Sequence, residues 1–85
     1  MSRKSKLIDK LLREPKDFSY RELVTLLQHF GYYELKKGIT SGSRRAFVNQ
    51  KTMHILRLHK PHPQNHLKPY QLKEVIYELR KFGYI

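Results

Sequence analysis

The stretch YYELKKGITSGSRRAFVNQKTMHILRLH, residues 32–59, decides the fold of this chain. It is rich in β-branched and aromatic residues and is punctuated by a Gly/Ser-rich turn, as strands are and long helices are not. Tyr32 to Lys36 reads as a first strand. The turn from Gly38 to Ser43 leads into a second, Arg44 to Asn49, and Gln50-Lys51-Thr52 links it to a third, Met53 to His59. The lengths predict a three-stranded antiparallel meander. The third strand carries apolar residues on both parities (Met53 and Ile55 against Leu56 and Leu58), so alternation alone leaves its two faces unassigned.

Upstream, Ser19 and Glu22 form an S-x-x-E capping box, and Phe18 with Leu23 occupy the flanking hydrophobic-staple positions. Tyr20, Leu23, Val24, Leu27 and Phe30 then fall on one helical face, and Gly31 supplies the C-terminal stop. Before it, Leu7, Ile8, Leu11 and Leu12 repeat at helical spacing, and Pro15 disfavours helix at Glu14. Downstream, the loop Lys60 to His66 precedes Pro69, which suits the first turn of a helix because its missing N–H is harmless there. Leu72, Val75, Ile76 and Leu79 form that helix's apolar stripe, which ends at Phe82-Gly83. The order is α-α-β-β-β-α. A three-stranded sheet needs one face covered, and the two amphipathic helices flanking it are the natural cover. The expected fold class is therefore α+β, with both helices on one face of the sheet and residues 1–15 as an N-terminal helical extension.

At 85 residues this is one domain, near the size where a single core becomes marginal. It has no Cys, which excludes disulfides and thiol catalysis, and no apolar run approaches a membrane span. A cytoplasmic location is the expectation. Eighteen Lys and Arg against seven Asp and Glu give a formal charge of +11 and a pI near 10.1. Such an excess costs self-repulsion that a polyanion relieves, which points to nucleic acid ahead of a merely soluble basic surface. Basic residues are spread over every element instead of lining one amphipathic helix, which argues against a membrane surface.

Four of the five His, namely His54, His59, His62 and His66, fall between residues 54 and 66. Three readings compete. With no Cys, and no acid between Glu34 and Glu74, a metal site would have to be all-His. The bland reading is ordinary surface imidazole. The third is RNA chemistry, in which a His takes the proton of a ribose 2′-hydroxyl while Lys or Arg steadies the phosphate. Gly38 to Ser43 with Arg44 and Arg45 suits either a phosphate cradle or a plain hairpin loop; it is not a Walker loop, because Ser43, not Lys, follows Gly42.

The ordered segments K-K-G (36–38), G-S-R-R-A-F (42–47), L-H-K-P-H-P-Q-N-H-L-K (58–68) and the terminal F-G-Y-I (82–85) resemble the HicA toxins, over roughly Ser19 to Ile85. The resemblance implies residues 16–85 as a domain resembling the double-stranded-RNA-binding fold, activity as a metal-independent mRNA endoribonuclease without a cofactor, and an acidic antitoxin partner of HicB type. With the basic charge, the expected RNA contacts are Ser43, Arg44, Arg45, Lys36, Lys37 and Lys60. The resemblance also places Arg44 where the family carries its catalytic His, after the matching Gly42 and Ser43. Arg does not deprotonate in proteins and cannot be the base. Either His62 or His59 takes that role, or the chain binds RNA without cutting it.

Overall fold

The computed structural model describes residues 2–35, 44–61 and 65–85. Their elements are α1 (Arg3–Leu12), α2 (Tyr20–His29), β1 (Tyr32–Leu35), β2 (Arg44–Asn49), β3 (Ile55–His59) and α3 (Pro69–Lys81). The strands form one antiparallel sheet in the order β1-β2-β3. Fold class, element order and the position of both flanking helices agree with the reading of the sequence.

Local chemistry explains most boundaries. At the start of α2 the Ser19 hydroxyl accepts from the Glu22 N–H at 3.0 Å, and the Glu22 carboxylate accepts from the Ser19 N–H at 2.9 Å. Gly31 ends that helix at φ +95°, a conformation that a side chain would strain. Helix α1 stops at Leu12, with Glu14 at φ +50° just before Pro15.

One strand boundary differs from expectation, the start of β3. Lys36 lies outside the described residues, and β1 is described as far as Leu35. Strand β3 starts at Ile55 and not at Met53, because the buried Asn49 side chain captures the chain in a turn. Its Oδ1 accepts from the Lys51 and Thr52 N–H groups, and Met53 sits at φ +60°, outside strand geometry.

Register assigns the faces that periodicity left open. Tyr32, Phe47 and Leu56 point into one core with Leu23, Leu27, Leu72, Val75 and Leu79, so α2 and α3 cover the same side of the sheet. Helix α1 adds Leu7 and Leu11 to that core and ties Lys10 to Glu22 at 2.9 Å. Tyr33, Arg44, Ala46, Ile55, Arg57 and His59 alternate onto the uncovered side. The Asn49 N–H donates to the His54 carbonyl, which makes 49/54, 47/56 and 45/58 the hydrogen-bonded pairs. The backbone groups of Ile55, Arg57 and His59 consequently turn outward along the β3 edge, beside α3.

The starts of the two covering helices are also tied together. Ser19 bridges His66, the Tyr20 N–H donates to the Asn65 carbonyl at 2.7 Å, and the Leu67 N–H donates to the Phe18 carbonyl at 2.8 Å. This brings the first turn of α3 to the His59 end of β3.

Candidate nucleic-acid interface

A groove of about 380 Å³ opens where the start of β2, the end of β3 and the first turns of α3 meet. Strand pairing builds one wall. Arg44 stands directly opposite His59, and Arg57 opposite Ala46, all four on the uncovered side. These are the closer, non-hydrogen-bonded pairs of the ladder, so their side chains crowd together. Ala46 is buried and small, which leaves the depression between the two guanidiniums. Helix α3 contributes the other wall through Tyr70 and Glu74, one turn apart.

Gln71 fixes the two walls relative to each other. Its Nε2 donates to the His59 carbonyl at 2.8 Å, and its Oε1 accepts from the Lys68 N–H at 3.0 Å. One buried amide therefore satisfies both the outward carbonyl at the end of β3 and a free N–H at the start of α3.

Arg44 and Arg45, adjacent in sequence, part company at the sheet. Arg45 turns to the helix side, where its guanidinium meets Glu34 at 3.3 Å, and its Nη1 donates to the Arg44 carbonyl at 2.8 Å. Tyr20 lies beside this pair, with the Lys60 ammonium 5.5 Å from its ring centre. Burial, reinforced by the Glu34 carboxylate, pushes the Tyr20 hydroxyl up to about 12. That hydroxyl is sealed from water and meets no hydrogen-bond geometry among the described residues, although Glu34 and Arg45 adjoin it. Arg45 and Lys60 thus share a cluster with Tyr20 and Glu34, and Arg45 also reaches the groove margin.

Three histidines of the 54–66 cluster fall among the described residues. His54 is enclosed: its Nδ1 is hydrogen-bonded with Tyr32 Oη at 2.6 Å, its Nε2 faces Glu78 at 2.9 Å, and its ring stacks on Phe82 at 3.9 Å. Asn49 Nδ2 donates to the Tyr84 hydroxyl, and the Tyr84 ring meets that of Tyr32 edge-on at 5.8 Å, so Asn49, Tyr84, Tyr32, His54 and Glu78 form one connected cluster. Burial, with Tyr84 and Glu78 nearby, raises the Tyr32 hydroxyl above its ordinary range. His66 pairs through its backbone with Ser19, while His59 lines the groove. Among the described residues no three His or acidic side chains gather into a metal-binding group. His62, Ser43, Lys36 and Lys37 lie outside the described residues.

Sequence reasoning named Arg44 and His59 but missed Arg57, Tyr70, Gln71 and Glu74. Arg57 carried a signal: once Leu56 and Leu58 are known to point inward, the residue between them must point out.

The family model for the HicA toxin of bacterial toxin–antitoxin systems matches residues 20–84, from the first residue of α2 to just past α3. This chain belongs to the HicA toxin family. The matched region contains the sheet, both covering helices and every groove residue named above; α1 precedes it. HicA membership implies an antitoxin partner for the chain. No curated protein and no solved structure gives a significant match. Among the described residues, no helix of this HicA-family chain is long and apolar enough to cross a membrane.

Proposed function

We propose that this HicA-family chain is an RNA-directed toxin that engages RNA in the groove beside β3 and cleaves it without a metal ion. The observation that carries the reading is the juxtaposition of Arg44, Arg57 and His59 on the uncovered side of the sheet, in a chain of net charge +11. Two guanidiniums suit a phosphate and the charge it gains during attack. His59 stands opposite Arg44 and lines the groove with both arginines. In this scheme His59 accepts the proton of a ribose 2′-hydroxyl and the 2′-oxygen attacks the adjacent phosphorus. The 5′-oxygen leaves and takes up a proton, giving a cyclic phosphate and a 5′-hydroxyl. His62 is the second candidate for proton transfer, on the family resemblance.

The partner would be an acidic antitoxin of HicB type that covers the same basic groove, since opposite charge speeds and orients such docking. The fold, read as a member of the double-stranded-RNA-binding class, supports the choice of RNA over DNA. Lys36, Lys37, Ser43, Arg45 and Lys60 extend the proposed contact beyond the groove.

Incubation of the purified chain with mRNA in EDTA tests the reading. Cleavage should persist, its products should carry cyclic or 3′-phosphate ends, and His59→Ala should lower the rate at least about a hundredfold. One observation favours a second reading: Arg44 stands where the family carries its catalytic His. If the chain binds RNA and leaves it intact, it is a binding module and the nuclease assignment falls.

A further inference from the structure

We infer that the groove is a nucleobase pocket for single-stranded RNA with a preference for guanine, Tyr70 stacking on the base and Glu74 reading its edge. The inference rests on the RNA-binding reading above and names which part of RNA the groove takes.

Size comes first. A hollow of about 380 Å³ lies at the lower end of the range for pockets that hold a small ligand, and suits one nucleoside better than the broad face of a duplex. Unpaired bases are recognised by stacking on aromatic or guanidinium planes and by hydrogen bonds to their exposed edges. Tyr70 meets the first requirement. It lines the groove, is 54% exposed, and stands across from the two arginines that suit the flanking phosphates. A second hollow adjoins the first along β3 and shares Arg57 and Glu74 with it, while Tyr77, two turns beyond Tyr70 and also exposed, lines its far end. A strand crossing Tyr70 therefore has a path onward.

Glu74 is the informative residue. It is the single acid among the described residues that line the first hollow. Asp9, Glu14 and Glu74 form no ion pair with a described residue, and of these three Glu74 is the one that lines the hollow. A carboxylate beside a phosphate site weakens backbone binding, so its presence calls for a donor-bearing ligand group. Spaced four residues from Tyr70, it lies on the same side of α3, where it meets the edge of a base stacked on that ring. An ionised carboxylate only accepts, through two oxygens side by side. Guanine alone among the four bases offers two adjacent donors, N1–H and the N2 amino group. Adenine, cytosine and uracil each offer one donor beside an acceptor, and that acceptor opposes the second carboxylate oxygen.

The test uses the full chain and four fluorescent RNA heptamers, U3-X-U3, with X as guanosine, adenosine, cytidine or uridine, at one fixed salt concentration. The guanosine heptamer should bind about tenfold tighter than the other three, the scale of a hydrogen-bond pair to a charged acceptor. Glu74→Gln should level the four. Tyr70→Ala should weaken all four about tenfold and Tyr70→Phe should restore them, as stacking requires a ring and no hydroxyl. Both positions are exposed, so neither substitution threatens the core. Equal affinity for the four heptamers, or a guanine preference that survives Glu74→Gln, overturns the inference and leaves RNA binding standing. Failure of every heptamer to bind overturns both.

Discussion

His54 and His59 stand at opposite ends of the same short segment, and the fold uses them in opposite ways. His54 is held on three sides, by the Tyr32 hydroxyl, the Glu78 carboxylate and the Phe82 ring. It closes the end of the sheet where the two Phe-Gly-Tyr segments meet: Phe30 stacks on Tyr84 at 5.0 Å, and Asn49 Nδ2 donates to both the Phe30 carbonyl and the Tyr84 hydroxyl. His59 is exposed and lines a groove with Arg44 and Arg57, and Gln71 holds its backbone carbonyl. The lesson is that a histidine count says little by itself. What separates these two is burial: His54 is enclosed at one end of β3, whereas His59 is exposed beside the groove at the other.

Alanine substitution at each site exposes the contrast most strongly. His54→Ala leaves the buried Tyr32 hydroxyl without its imidazole partner and removes the Phe82 stack, and should cost about 2–3 kcal/mol in urea unfolding. His59→Ala, at an exposed position, should stay within about 0.5 kcal/mol. RNA cleavage should reverse the order, with His59→Ala inactive and folded His54→Ala active. If both variants lose stability equally, the division between closed and open ends is wrong.

A smaller effect comes from the enclosed tyrosines. Burial raises the hydroxyls of Tyr20, to about 12, and Tyr32 above their unfolded range near 10. Above pH ~10 the unfolded chain releases these protons while the folded chain retains them. The stability they contribute is fully present below pH ~10 and is lost as the pH rises through the folded values. Urea midpoints should therefore fall between pH ~10 and ~12, and less steeply in Tyr20→Phe. Identical slopes in the two proteins would remove Tyr20 from the account.

Much of the frame was legible because it is local. The Ser19 capping box, the Gly31 stop and the α3 stripe each depend on residues within a few positions of one another, and all three stand as read. Strand β3 was not legible in the same way. Ile55, Leu56 and Leu58 are all apolar, and only the packing of α3 on one side decides that Leu56 turns inward while Ile55 stays open. Its start was misread because Asn49 acts across a turn, through side-chain bonds that periodicity does not register.

The site followed the same rule. Arg44 and His59 announced themselves by residue type. Tyr70 and Glu74 sit on the polar side of an ordinary amphipathic helix, and nothing local shows that this side faces the β3 edge. Arg44 and Arg45 look equivalent in sequence, yet strand alternation puts Arg44 on the uncovered side and turns Arg45 to Glu34 on the helix side.

The central claim, that the open end of the sheet is the RNA site, is tested most directly by the salt dependence of RNA affinity. Each phosphate neutralised on a single strand adds roughly 0.7 to the slope of log K against log salt. Measured by anisotropy on one unstructured RNA, Arg44→Ala and Arg57→Ala should each reduce that slope by roughly 0.7 and weaken binding at every salt concentration. An unchanged slope and unchanged affinity in both variants would place the RNA elsewhere on the molecule.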